Sequence, residues 1–112
     1  MSAMTIAQAA ELVWDLIQTL EDAYWEASHC DDKDRVFNLM QLLNAEYMEL
    51  LKISVQDHHY EYEVITTSQA ALLQVVSDYL RVEAGRPRRH RTTARLNAQL
   101  NKLTAHLAAG HQ

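Results

Sequence analysis

Glu26, Ala27, Ser28 and His29 form an E-x-x-H string, and Cys30, Asp31 and Asp32 follow with more ligand-type side chains. On a helix this spacing puts a carboxylate and an imidazole on one face, as in carboxylate-bridged di-metal bundles, which also need a second such string and two further inward glutamates. The chain has no second E-x-x-H, and Cys30 has no C-x-x-C or H-x-x-x-H companion. We therefore expect neither a metal centre nor a cofactor, and read the cluster as a polar turn between helices.

His58 and His59 stand beside Glu61 and Glu63, a pairing that suits general acid and base work near neutral pH. No nucleophile or oxyanion donor accompanies them. Between Met1 and Ala84 there is no glycine or proline, so the chain lacks the loops that cradle phosphates or expose a nucleophile. An enzyme is not expected. The run His58, His59, Tyr60, Tyr62, Val64 and Ile65 instead offers stacking area with hydrogen-bonding tips, suited to binding a partner protein. An alternative is that Tyr60 and Tyr62 close the edge of the core. Trp14 and Trp25, three helical turns apart, and Phe37 are further candidates for partner binding, with a place at the core margin as the alternative.

Arg86, Arg88, Arg89 and Arg91 form a basic linker. Residues 1–80 hold 14 acidic and 3 basic side chains (−11), and residues 81–112 hold 7 basic and 1 acidic (+6), within a net charge of −5. The large negative field repels phosphates, and no stacking platform or helix-turn-helix accompanies the arginines, so nucleic acid is not the expected partner. A chain polarised in this way can fold its basic end onto its own acidic helices, pair with a second copy, or meet a partner of opposite sign.

Several elements must position these residues. At 112 residues and 48% hydrophobic, the chain is expected to form a single helical domain over 1–112, with linker 86–91 before the last helix. One cysteine, no basic start to a signal peptide and no long apolar run suggest a reducing cytoplasm and no membrane span. The first helix is expected from about Thr5 to Ala27, with Thr5 and Gln8 as a capping box and a seam through Ile6, Val13 and Leu20. A second helix, capped by Asp31 or Asp32, carries Val36, Leu43 and Leu50 and reads as the centre of the fold. Residues 56–68 alternate like a strand, but no second strand exists to pair with them. They are read as helix or extended linker, with Asp57 or Thr67 capping a third helix. Gly85 and Pro87 end that helix, and a fourth starts near Thr92 or Thr93, displaying Leu96, Leu100, Leu103 and Leu107. The expected fold is all-α, an antiparallel bundle of three to four helices that dimerises through Ile6, Val13 and the four leucines.

Apolar faces broader than four helices bury make association the leading functional reading. In size, acidity and helical layout, including the segments AAELVWDLIQTLEDAYW and SVQDHHYEYEVITT, the chain resembles the small bacterial helical antiactivators of the QslA-like quorum-sensing kind. That resemblance implies a non-enzymatic regulator that sequesters a transcription factor, a LuxR-type receptor, and blocks its dimerisation or DNA binding. Alternatives are an export chaperone of the type III or flagellar FliT kind, and a toxin-immunity protein.

Overall fold

Four helices account for most of the described residues: α1 (Ile6–Glu26), α2 (Cys30–Asp57), α3 (Gln69–Glu83) and α4 (His90–Ala109). They are seen in a computed structural model that describes residues 4–109. Each helix packs against the next, and α4 returns against α1, so the four close a ring. The body measures 41 × 27 × 23 Å. The broad apolar arc of α1 is covered on both sides, by α2 and by α4. The contact between α2 and α3 is the thinnest of the four.

The start of α1 follows the capping logic of its sequence. Thr5 Oγ1 accepts the Gln8 N–H at 3.2 Å and Gln8 Oε1 accepts the Thr5 N–H at 3.0 Å. Two more orphan donors of the first turn find backbone acceptors at the far end of α2: Ile6 N–H donates to Tyr60 C=O (2.8 Å) and Ala7 N–H to His58 C=O (3.0 Å). Tyr62 N–H donates in turn to Met4 C=O (2.8 Å), giving one antiparallel bridge between Thr5 and Glu61. Residues 58–60 turn away from the end of α2, and the extended pairing that follows at Glu61 is with the start of the same chain.

Other boundaries shift. Asp31 and Asp32 fall inside the first turn of α2, whose N-cap is His29 without a side-chain bond. Ser68, one residue beyond Thr67, caps α3 through the Ala71 N–H at 3.1 Å. Helix α4 starts at His90, so the last two residues of the expected linker are helical. The helix read as the centre of the fold is also not the most buried one. Along α2, Phe37, Met48, Leu51 and Val55 face solvent, while α1 holds the centre.

The dimer seam expected from sequence is corrected by burial. Ile6, Val13, Leu96, Leu100, Leu103 and Leu107 all lie in the core of a single chain, with the four leucines fully enclosed. In a closed ring each helix has two neighbours, so α1 and α4 satisfy each other. Beside them His106 Nδ1 accepts the Met4 N–H (3.0 Å), which leaves the Nε2–H to donate to Tyr62 C=O (2.8 Å). Replacing His106 with Phe keeps a ring but orphans both backbone groups. It is expected to cost about 2–3 kcal/mol in urea unfolding.

Candidate functional site

Trp14 and Trp25 project from the outward side of α1, and Phe37 from the adjoining side of α2, all with roughly half or more of their surface in water. Three turns separate the two indoles, about 16 Å along the helix. Trp14 leans on Tyr47 of α2 (ring centroids 5.4 Å apart), and the Tyr24 ring meets Trp25 edge-on at 5.2 Å and Phe37 at 6.4 Å. Lys33 fixes the second group. Its Nζ sits 4.5 Å from the Tyr24 ring centroid and donates to the Tyr24 C=O at 2.9 Å. The result is an aromatic face across α1 and α2, built on rigid helices. It carries no acid and base pair, and its chemistry is contact: large rings presented at small entropic cost.

The other predicted partner-binding residues separate into two sets. His58, His59 and Tyr60 are exposed at the far end of α2, with His59 meeting His58 edge-on at 5.3 Å and Tyr60 at a tilt at 4.5 Å between ring centroids. They lie about 30 Å along the helix from Phe37, so the two groups do not form one site. Tyr62, by contrast, is only 1% exposed and belongs to the core, while Val64 and Ile65 pack half-buried against it. The expectation of a surface hot spot at Tyr62 is therefore corrected. Tyr62→Asp is expected to abolish the cooperative thermal transition, read by circular dichroism, because it places a charge where nothing compensates it.

Sequence reasoning missed what holds this segment. Glu46 of α2 is buried, and its carboxylate accepts four hydrogen bonds: from Tyr62 Oη (2.6 Å), Ile65 N–H (2.9 Å), Thr66 N–H (2.9 Å) and Thr66 Oγ1 (2.6 Å). Burial, with the Glu46 charge added, raises the Tyr62 phenol above its ordinary value, so it stays a donor. The available signal was an acid three residues after Leu43 and four before Leu50, on the inward side of α2.

A second missed cluster explains the arginine linker. The Arg88 side chain is wholly buried, donating to both Asp32 oxygens (2.8 and 3.0 Å) and through Nε to Glu83 (3.0 Å). Arg35 bridges the same acids, at 2.7 Å to Glu83 and 3.2 Å to Asp32, with its guanidinium 4.2 Å from the Tyr79 ring centroid. The hydrogen bond from Arg88 holds the Asp32 carboxyl below its usual value despite desolvation. Burial alone would lower Arg88, but its bonds to Asp32 and the neighbouring carboxylate charges outweigh that and raise it. Glu26 meanwhile occupies the start of α4, accepting the Arg89 N–H (2.9 Å) and the Thr92 hydroxyl (2.6 Å). The basic end is folded onto the acidic helices of its own chain.

Beside Trp25 a cavity of about 390 Å³ brings Arg89, Arg91 and Arg95 together with Asp22 and Glu26. Its charges are mixed, which does not favour a phosphate. Among the described residues no helix is long and apolar enough to cross a membrane. Comparison with family models, curated proteins and solved structures gave no match for this chain.

Proposed function

We propose that the protein is a non-enzymatic, protein-binding regulator that sequesters a partner on the α1/α2 face. One observation carries this reading: the core closes within the chain, yet Trp14, Trp25 and Phe37 remain in water on one face. Exposed tryptophans clustered with other rings are the residue type that anchors interfaces. Following the resemblance, the partner is a transcription factor of the LuxR receptor type, covered at its dimerisation or DNA-binding surface in the cytoplasm. Self-association belongs to the same proposal.

The test is titration of a purified LuxR-type receptor with the wild-type protein and with Trp25→Ala and Phe37→Ala, followed by calorimetry. Each substitution is expected to weaken binding about 30-fold, near 2 kcal/mol, with an unchanged unfolding midpoint. Stoichiometric complex formation with an export substrate or a basic nuclease, and none with the receptor, would move the reading to a chaperone or an immunity protein. Full affinity in both variants would remove the face from the reading.

A further inference from the structure

Helix α2 carries a second seam, turned away from the core. Phe37, Gln41, Asn44, Met48, Leu51 and Val55 step by four, three, four, three and four, all six are exposed, and none is charged. The run covers about 27 Å of helix. A period of 3.5 sustained over five turns matches a helix lying alongside another, and amides in mid-seam are register-setting residues in such pairs.

We propose that this seam pairs antiparallel with α2 of a second copy of the chain. The proposal rests on the reading of the α1/α2 face as a protein-binding surface and names the face's resting occupant. Placing Gln41 opposite the second copy's Asn44 overlaps the helices from Cys30 to Val55, nearly the whole of α2. Phe37 then meets Met48, and the amides meet amides. Flanking the seam, Asp31 comes beside the second copy's Lys52, twice by symmetry, with Lys52 exchanging its exposed pairing to Glu49 (3.1 Å). A parallel pairing in register would set Asp34 against Asp34 in the line of the seam and leave Asp31 and the second copy's Lys52 on opposite flanks. Charge therefore selects the antiparallel arrangement, whose cost is Leu51 opposite Asp34. The contact is isologous and closes at two copies. Because it covers Phe37, the dimer and a captured partner compete for one surface, and partner binding separates the copies.

The experiment combines sedimentation equilibrium over a dilution series with disulfide trapping under a mild oxidant. Wild type is expected to sediment as a reversible dimer, and Met48→Asp as a monomer with unchanged helix content. In the antiparallel pair Cys30 faces Val55, so Val55→Cys should trap a covalent dimer through native Cys30. The two Cys30 residues lie about 38 Å apart, so wild type should not be trapped, nor should Cys30→Ser with Val55→Cys. A wild type that stays monomeric, or one trapped through Cys30 alone, overturns the proposal. Trp25 lies on α1, off the seam: Trp25→Ala should lose partner capture and keep the dimer. A monomeric wild type whose capture still depends on Trp25 would sink the pairing and leave the functional reading standing, and a dimer with no capture would do the reverse.

Discussion

Glu46→Ala is expected to remove about 3–5 kcal/mol of stability, because it leaves four donors without their acceptor at once. Tyr62 Oη is fully enclosed, and the N–H groups of Ile65 and Thr66 point to where the carboxylate was. An unsatisfied buried donor costs roughly 1–3 kcal/mol, and the upper total is tempered because Thr66 is exposed enough to take water. For a domain of this size each kcal/mol is worth about 4 °C, so melting should fall by about 15 °C. Glu46→Gln keeps the volume but turns an NH2 toward groups that also donate, and should lose about 2 kcal/mol. Tyr62→Phe removes a single donor and should lose about 1–2 kcal/mol. Combined with Glu46→Gln it should cost less than the two losses added, since the partners share one network. Urea unfolding gives all four values. The segment 58–68 should also become the first site of proteolysis in Glu46→Ala, as it is this carboxylate that ties the segment to α2. A loss under about 1 kcal/mol would mean that water replaces the carboxylate and that the α1 contacts alone hold the segment.

The fold was legible where local physics decides it. The capping box at Thr5 and Gln8 is a short-range hydrogen-bonding pattern, and Gly85 with Pro87 interrupts the helical period, so both survive any tertiary arrangement. The seams of α1 and α4 were equally visible as core stripes, but their assignment to a second chain was not. Periodicity gives the angular width of an apolar face and says nothing about whether its neighbour lies in the same polypeptide. For α2 the difficulty is sharper, because apolar residues at heptad spacing lie both inward (Val36, Leu43, Leu50) and outward (Phe37, Met48, Leu51), and only the packing of α1 and α3 tells them apart. Tyr62 was misplaced for a related reason. Alternation in Tyr60, Glu61, Tyr62 and Glu63 shows that one set faces inward, and the choice is made by pairing to Met4, nearly sixty residues away. Of the candidate site, the two indoles and Phe37 could be named as large rings at a helix margin, but their joint exposure could not.

The largest gap concerned the charges. A composition of −11 followed by +6 announced an attraction without saying where it would be satisfied. The answer needs Asp32, Arg35, Glu83 and Arg88, drawn from two helices and a loop, to meet around one buried guanidinium. Asp32 from the acidic portion and Arg88 from the basic one pair at the junction of α2, α3 and α4, with Arg35 and Glu83 completing the network. What stays outside includes the aromatic face, with Lys33 set over its rings, and the functional reading rests on those rings rather than on the charge asymmetry.

Arg88→Met tests that junction. Removing one partner from a buried ion network leaves the other charges uncompensated and typically costs 3–5 kcal/mol, so a loss of about 4 kcal/mol is expected at neutral pH. Arg35 still reaches Asp32 and Glu83, which keeps the variant folded but asks one guanidinium to balance two enclosed carboxylates. The pH dependence separates charge from packing. In the wild type the Asp32 carboxyl titrates below its unfolded value of 3.8, so its contribution is fully present above that pH and disappears as the pH falls through the lower, folded value. In the variant the main cause of that lowering is gone and desolvation remains, opposed only by the Arg35 hydrogen bond and charge. The folded carboxyl then titrates closer to its unfolded value, so most of the pH-dependent stabilisation present in the wild type is lost. The deficit should therefore be widest near pH 7 and narrow below about pH 4. Replacing Asp32 with Leu in the same variant removes the orphaned charge and leaves the 2.7 Å Arg35–Glu83 pair intact, so a large part of the loss should return. Unfolding in urea from pH 7 down to pH 3 reads both effects, and a deficit constant across that range would assign the loss to packing of the arginine stem.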